Sequence, residues 1–322
     1  MANTIQYASV LQTALDTVAV QGLLTGWMDK NAGKVKYNGG KEVKIPQITT
    51  DGLGDYNRGS AGGYAGGDIK LEYKTKEMTQ DRGRKFSLDA MDVDETNFVA
   101  TAGNVMGEFQ RVHVIPEIDA YRLSTLAQVA MKVDKDTNVE YSYTPAATTI
   151  INKIKKGIKV IRENGYNGQL MIHITYDAML AIGDKVLEKL ASMTFSQGGI
   201  DTTVPSIDKC PLIETPQNRM YSHIKLYDGV TEGQKQGGYA KGDDGIEANF
   251  IIAPADVPIG VTKQDLMRIF DPQTNQNANA WALDYRRYHD LWVLDNKSNS
   301  VYANFKGAKP ASLSSEVVDE EE

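Results

Sequence analysis

A cluster of glycines in the first quarter of the chain limits the fold more than any other feature. Residues 33–67 contain ten of the 29 glycines of this 322-residue chain, a density that no packed helix tolerates. Residues 42–48 and residues 68–79 alternate polar and apolar residues, and seven of the ten glycines lie between these two segments. This pattern predicts a long two-stranded hairpin with a glycine-rich tip.

The predicted hairpin has too few apolar residues to form a core of its own. Ile69, Leu71 and Tyr73 fall on one face of its second strand, and charged residues fall on the other. Because an isolated two-stranded ribbon is marginally stable in water, we expect the hairpin to bind a neighbouring molecule. The alternative is a surface loop without a structural role, although loops of this length without a role are uncommon.

The clearest helical pattern follows the hairpin. Apolar residues recur there at helical spacing, at Phe98, Ala102, Val105, Met106, Phe109 and Val112. Asp92 and Glu95 resemble a capping box at the start of this helix. Pro116 predicts a break before a second helix over residues 117–130. A more modest amphipathic helix is predicted over residues 7–28.

From Pro145 onward the sequence predicts a compact lobe of alternating helices and short strands. One helix, which Gly165 ends, has an apolar face formed by Ile150, Ile151, Ile154, Ile158 and Ile161 and a basic face formed by Lys153, Lys155, Lys156 and Lys159. Thr175 is a predicted cap for a helix that runs to about Leu190. Strands are predicted over residues 169–174, 222–227 and 249–253, and longer strands are predicted after Gly260. The acidic tail, residues 312–322, is expected to be disordered.

Composition excludes several classes of protein. The mean hydropathy is −0.39, and no apolar run approaches the roughly 20 residues that span a bilayer, so no membrane partner is expected. The first residues lack the basic segment of an export signal. Acidic residues exceed basic ones, 42 to 35, which argues against tight sequence-specific binding to nucleic acid. The single cysteine, Cys210, excludes an internal disulfide, and we interpret it as an inert apolar side chain.

Motifs for catalysis or cofactor binding fail at defined positions. A dinucleotide fingerprint that began at Gly52 would need glycine where the chain has Asn57, and a P-loop that ended at Lys34 would need glycine at Met28. None of the four histidines has a second His or Cys at zinc-ligand spacing. We therefore expect no catalytic residue, no cofactor and no metal site. We interpret the lysine face of the helix over residues 150–161 as solvated, because no aromatic residues interleave with it.

Two strings of the sequence resemble a known family. They are TQDRGRKFSLDAMDVDETNFVATAGNVMGEFQR (residues 79–111) and VIPEIDAYRLSTLA (residues 114–127). Both are similar to the major capsid proteins of tailed phages of Gram-positive hosts, which share the Hong Kong 97-type capsid fold. The resemblance implies an α+β protein with an N-terminal arm, an extended hairpin called the E-loop, a peripheral domain with a long spine helix, and an axial domain.

The resemblance also implies boundaries for these parts. They are residues 1–40 for the N-terminal arm, 41–85 for the E-loop, 86–144 for the peripheral domain with its spine helix, 145–260 for the axial domain, 261–311 for further peripheral strands and 312–322 for the acidic tail. The segment before the hairpin carries no heptads, so we expect a separate scaffolding protein, or none, rather than a fused one. No motif identifies residues for the covalent Lys–Asn crosslink of some relatives, and we predict no crosslink.

The function that the resemblance implies is self-assembly into hexamers and pentamers of an icosahedral shell. The shell would enclose double-stranded DNA through weak non-specific contacts, with a scaffolding protein and a portal as further partners. Assembly would take place in the host cytoplasm, and the product would be the virion. Candidate inter-subunit contacts are polar and charged residues of the hairpin and of the strand after it, namely Asp55, Tyr56, Arg58, Lys70, Glu72, Lys74, Asp81, Arg82 and Arg84.

Three other functions remain open at this point. An encapsulin-type shell would have the same fold but would hold enzyme cargo. An enzyme with a cryptic site on the axial lobe would be a monomer or a small oligomer on a sizing column. A tail-tube or adhesin module would form rods or fibres instead of closed shells.

Overall fold

The computed structural model describes residues 22–37, 41–59, 63–89, 105–133, 136–188, 190–197, 200–275 and 278–310. The α-helices are α1 (Ile115–Met131), α2 (Ile150–Glu163), α3 (Tyr176–Ile182) and α4 (Asp184–Leu187). The strands are β1 (Lys36–Tyr37), β2 (Glu42–Thr50), β3 (Ile69–Glu77), β4 (Gln80–Asp89), β5 (Val139–Glu140), β6 (Leu170–Thr175), β7 (Ala191–Gln197), β8 (Ile200–Ile207), β9 (Cys210–Thr215), β10 (Ile224–Leu226), β11 (Tyr239–Lys241), β12 (Ala248–Pro254), β13 (Ile259–Phe270), β14 (Ala280–Trp292) and β15 (Tyr302–Phe305). The prediction of a mixed helix and sheet fold is thereby confirmed.

Three predictions concern residues outside the described part of the chain. They are the helix cap at Asp92, the first turns of the helix at residues 98–104, and the acidic tail.

A seven-stranded sheet forms the centre of the molecule, in the order β5-β15-β12-β6-β9-β8-β7. Every residue of the two middle strands, β6 and β12, is buried. The sequence pattern predicted a half-buried strand at β6, which was wrong because both faces of the sheet are covered. Helices α2 and α3 pack on one face, and α1 packs on the other together with Trp27.

Helix α2 agrees with the sequence pattern. Ile150, Ile154, Ile158 and Ile161 are all buried against the central sheet. The helix ends two residues before Gly165, whose φ of +91° is a conformation that other residues rarely adopt. All four lysines on the opposite face form ion pairs: Lys153 and Lys156 with Glu140 at 2.5 and 3.7 Å, Lys155 with Asp208 at 4.0 Å, and Lys159 with Glu163 at 3.4 Å.

Helix α3 begins as predicted but ends early. The Thr175 hydroxyl accepts a hydrogen bond from the Ala178 amide at 3.4 Å, which confirms the predicted cap. The prediction of a helix to about Leu190 was wrong. Gly183, with a φ of +80°, ends α3 after Ile182, and only the short α4 follows.

The long helix that ends with α1 is continuous through Pro116. Residues 105–109 are helical, the segment Gln110–Val114 is a π-helix, and α1 follows directly. The predicted break at Pro116 was therefore wrong. Proline lacks an N–H group, but it is tolerated in the first turn of a helix, and the Ile115 amide bonds to the Gln110 carbonyl across the wide π turn. The extra residue also rotates the apolar stripe, so that Val112 is 44% exposed.

A second sheet, in the order β13-β14-β4, lies against this long helix. Their shared core contains Leu23, Met106, Val114, Ile115, Ile118, Met267, Leu283 and Tyr285. Strand β15 joins the central sheet instead, next to β12. The segment after Gly260 therefore contributes strands to both sheets.

The segment before the hairpin is held by a buried polar network. Residues Gly26–Lys34 form a 3-10 helix, whereas the sequence predicted an α-helix up to Met28. The reason is a competing partner: the Asp119 carboxylate accepts hydrogen bonds from the Leu24 amide at 3.1 Å and the Thr25 amide at 3.0 Å. Arg122 then donates to the Thr25 carbonyl and pairs with Asp29 at 2.5 Å. The rest of the predicted helix, residues 7–21, lies outside the described residues.

Candidate subunit-contact surface

The predicted hairpin is present as strands β2 and β3. They pair antiparallel over all nine residues of each strand, from Glu42 with Glu77 to Thr50 with Ile69. The short β1 pairs with the other edge of β2 near its base. In the described part of the chain, residues 51–59 and 63–68 form the tip of the hairpin.

The base of the hairpin is packed into the body of the chain. Val43 and Ile45 are buried with Met78, and this cluster includes Val261 of β13 and Trp292 of β14. These side chains belong to the face of the hairpin that is turned toward the body. The same face continues outward through Gln47, Thr49, Lys70 and Glu72.

A buried carboxylate fixes the point where the hairpin leaves the body. One oxygen of Asp290 accepts hydrogen bonds from the Thr79 amide at 2.7 Å and from the Thr79 hydroxyl at 3.0 Å. The other oxygen accepts from the Tyr121 hydroxyl at 2.6 Å. Tyr121 lies on α1, Asp290 on β14 and Thr79 between β3 and β4, so this one side chain joins three parts of the chain.

The opposite face of the hairpin, which we call the outer face, is apolar and exposed. It consists of the cross-strand pair Ile48–Leu71 with Pro46, Ile69 and Tyr73. The exposed fractions are 63% for Ile48, 55% for Leu71, 78% for Ile69 and 46% for Tyr73. Four large apolar side chains in one stripe are unusual on a free surface, and such stripes mark interaction sites.

The tip has local structure of its own. The rings of Tyr56 and Tyr64 meet edge to face with centroids 4.9 Å apart. The Asn57 amide donates to the Gly63 carbonyl at 2.8 Å, and Gly63 has a φ of +53°. A Cβ atom on Gly63 would lie 2.4 Å from the Tyr56 ring, so glycine is required there. Both tyrosines remain exposed.

The candidate contact residues of the hairpin are placed in two groups. Asp55, Tyr56 and Arg58 lie exposed in the tip. Lys70 and Glu72 form an exposed ion pair at 2.5 Å, and the hydrogen bond from Lys70 lowers the pKa of the Glu72 carboxyl. Both residues lie on the face that is turned toward the body, as does Lys74.

The other four candidate residues have partners on other segments of the chain. Lys74 pairs with Asp295 at 2.8 Å, and Arg82 makes a two-pronged bond to Glu117 at 2.7 and 3.1 Å. Asp81 pairs with Arg286 at 2.6 Å, and Arg84 donates a hydrogen bond to the Lys235 carbonyl at 3.0 Å. The hydrogen bond from Arg286 lowers the pKa of Asp81. Contact of these residues with another subunit stays a prediction.

Sequence reasoning did not include the outer face among the candidate contacts. The signal was the alternation of Ile69, Leu71 and Tyr73, which the sequence displays. The alternation shows that one face is apolar, but it does not show which face turns toward the body. The burial of Val43 and Ile45 decides that question, because it places the charged face inward.

Two titratable side chains elsewhere in the chain, His173 and Cys210, are buried. His173 is buried, accepts a hydrogen bond from the Trp27 indole at 3.2 Å and lies 3.1 Å from the Thr215 hydroxyl, and burial lowers its pKa to about 3. Cys210 is buried too, and burial raises the pKa of its thiol. The described part of the chain contains no group of three His, Cys, Asp or Glu side chains that could hold a metal ion. In that same part, no helix combines the length and apolarity needed to cross a membrane.

Comparison with known proteins supports a single fold. No protein-family model matches the chain, and no curated protein is significantly similar in sequence. A chain of the bacteriophage PhiM1 mature capsid matches with a TM-score of 0.53 at 11% identity, covering 83% of this chain and 82% of that one. A chain of the cyanophage P-SCSP1u capsid matches with a TM-score of 0.53 at 10% identity, covering 85% of each. A chain of Gordonia phage Cozz matches with a TM-score of 0.51 at 16% identity, covering 83% and 81%. The chain therefore has the fold of phage capsid proteins, as the resemblance over residues 79–127 predicts.

Proposed function

We propose that the chain is the major capsid protein of a tailed bacteriophage, a structural subunit rather than an enzyme. Copies of it assemble into the hexamers and pentamers of an icosahedral head that encloses double-stranded DNA. The observation that carries this proposal is the exposed apolar outer face on a hairpin that projects from a chain with a phage capsid fold. A ribbon of this kind gains stability only when a second surface covers it.

Assembly would be driven by burial of apolar surface between copies. Each buried square ångström contributes roughly 25 cal/mol, and obligate interfaces commonly exceed about 2,000 Å². The outer face supplies four large side chains to such an interface. The clamped base holds them away from the body of their own subunit, where an adjacent subunit can reach them.

The proposal keeps the division of the chain that the resemblance implies. Residues 1–40 act as the N-terminal arm and residues 41–85 as the E-loop. The spine helix and the β13-β14-β4 sheet belong to the peripheral domain, and residues 145–260 form the axial domain. Strand β15 links the two, since it lies in the central sheet although it follows β14 in the chain.

Partners other than the chain itself would be few. A separate scaffolding protein and a portal would take part in assembly in the host cytoplasm, and the finished shell would be part of the virion. The net charge of −7 favours only weak, non-specific contact with the enclosed DNA.

A truncated hairpin tests the proposal. Replacing residues 47–72 by Asn-Gly closes the ribbon after the Pro46–Tyr73 pair with a two-residue turn and leaves the buried base intact. We expect closed shells of the unmodified chain in negative-stain micrographs, and a folded small species of the truncated chain on a sizing column. A purified chain that stays monomeric under all conditions, or that forms rods, would refute the proposal.

A further inference from the structure

A cleft of about 290 Å³ lies beside strand β4, away from the hairpin. Its walls come from β4, the π-helical segment, β14 and the loop that joins β10 to β11. One wall is aromatic: Phe86 and Phe109 meet edge to face at 5.0 Å, and Phe109 meets Tyr285 at 5.8 Å. The joining loop is fixed over the cleft by Arg82, which donates to the Tyr227 carbonyl at 2.8 Å.

The floor of the cleft contains buried polar atoms without partners. Arg287 and His289 both line it, and both are more than nine-tenths buried. Nε of Arg287 and Nδ1 of His289 have no hydrogen-bond partner in the described part of the chain. Buried polar groups are normally satisfied, so these two atoms mark the cleft as a place where the packing of the chain leaves hydrogen-bonding capacity unused.

The mouth of the cleft contains a guanidinium that is open to an acidic partner. Arg82 is paired with Glu117, and Arg287 is paired with Asp265 at 2.5 Å. Arg84, which is exposed, is bonded instead to a backbone carbonyl, that of Lys235. A carboxylate that approached Arg84 would form a charge-assisted bond without displacing another carboxylate. The cleft thus suits a group with an aromatic ring and a nearby carboxylate.

The hairpin tip has this chemistry. Its residues include three aspartates against one arginine, namely Asp51, Asp55, Asp68 and Arg58, together with the exposed rings of Tyr56 and Tyr64. The tip cannot fill the cleft of its own chain. A nine-residue strand spans about 30 Å, so the paired strands hold the tip roughly 20 Å or more from Arg82, which lies only three residues beyond Thr79.

We propose that this cleft receives the hairpin tip of a second copy of the chain, with Tyr64 against the aromatic wall and the Asp55 carboxylate on Arg84. The inference rests on the proposed function and assigns the surface that receives the tip. It applies to a contact between identical subunits, so each copy donates one tip and accepts another. A contact of this heterologous type generates closed rings when the rotation between subunits closes.

An engineered disulfide tests the contact directly. Tyr64→Cys is combined with Gln236→Cys at the mouth of the cleft, and shells are oxidised after assembly. We expect a ladder of covalently linked chains on a non-reducing gel. The matched control combines Tyr64→Cys with Lys159→Cys on the exposed face of α2 and should give single chains. The proposed contact is wrong if the shells yield no ladder, or if both cysteine pairs yield equal ladders; the proposed function is unaffected by either result. An unmodified chain that never forms shells would refute both the contact and the proposed function.

A charge exchange provides a second test that does not depend on cysteine chemistry. Arg84→Glu should raise the protein concentration needed for assembly about tenfold, because a repelling carboxylate replaces the guanidinium. Adding Asp55→Lys to that variant should return the concentration to within about twofold of the unmodified chain. Because Arg84 is exposed, circular dichroism should show an unchanged fold in both variants. Assembly that is equally impaired in the single and double variants would overturn the pairing.

Discussion

Replacing Ile48 and Leu71 by serine should weaken assembly without weakening the fold. Full burial of such a side chain stabilises by about 1.5–3 kcal/mol. The two side chains are 63% and 55% exposed, so docking on a neighbour gains roughly 0.9–1.8 kcal/mol from each. Their sum of roughly 2–3.5 kcal/mol per subunit corresponds to a 30- to 300-fold higher critical concentration, at about 1.4 kcal/mol for each factor of ten.

Sedimentation of shells over a series of protein concentrations measures this change. The matched control is Gln47→Ser with Thr49→Ser, which alters the neighbouring positions on the face turned toward the body. We expect the control to assemble within about twofold of the unmodified chain, and both variants to unfold at the same urea concentration as the unmodified chain. An unchanged critical concentration for the Ile48 and Leu71 variant would refute the role of the outer face.

Three further predictions concern acid, packing and salt. Burial lowers the pKa of His173 from its usual 6.5 to about 3, so only the unfolded chain takes up the proton below pH 6.5. Its contribution to the free energy of unfolding is then full above pH 6.5 and falls by about 1.4 kcal/mol per pH unit toward pH 3. Urea titrations should accordingly show a weaker acid dependence for His173→Gln, and equal dependence would contradict the assignment. Gly157→Ala should cost about 1–3 kcal/mol in urea unfolding, because its Cβ would lie 2.7 Å from Tyr302 and 2.8 Å from Ile252; a neutral effect would show that α2 can shift. Salt should favour assembly of a subunit with net charge −7, so light scattering that fell as salt rose would be the opposite of the expected result.

Elements with a strong local period were predictable from the sequence. The isoleucines of α2 repeat with the helical period, and Gly165 supplies the stop. The two strands of the hairpin alternate with period two, and the glycines between them exclude a helix. In both cases the pattern of residues that are close together in the chain is sufficient to predict the secondary structure, and the tertiary contacts are consistent with that prediction.

Elements that depend on distant residues were not predictable in this way. The hairpin of β7 and β8 was also missed, although its two strands are neighbours in the chain and β7 alternates apolar and polar residues, and the three-residue β11 is too short to show a period. The π segment escaped notice because Pro116 normally marks a helix boundary. The cleft beside β4 brings together β4, the π segment, β14 and the β10–β11 loop, four segments that no sequence spacing connects.

The Asp290 carboxylate has a mechanical consequence for the proposed shell. If the hairpin were flexibly attached, a force from a neighbouring subunit would rotate the hairpin without moving the body of the chain. The Asp290 carboxylate instead accepts hydrogen bonds from Thr79 at the base of the hairpin and from Tyr121 on the long helix. A force on the hairpin would therefore be transmitted to the core of the chain. A subunit with this attachment would rotate as a rigid body when a neighbouring subunit moves the hairpin.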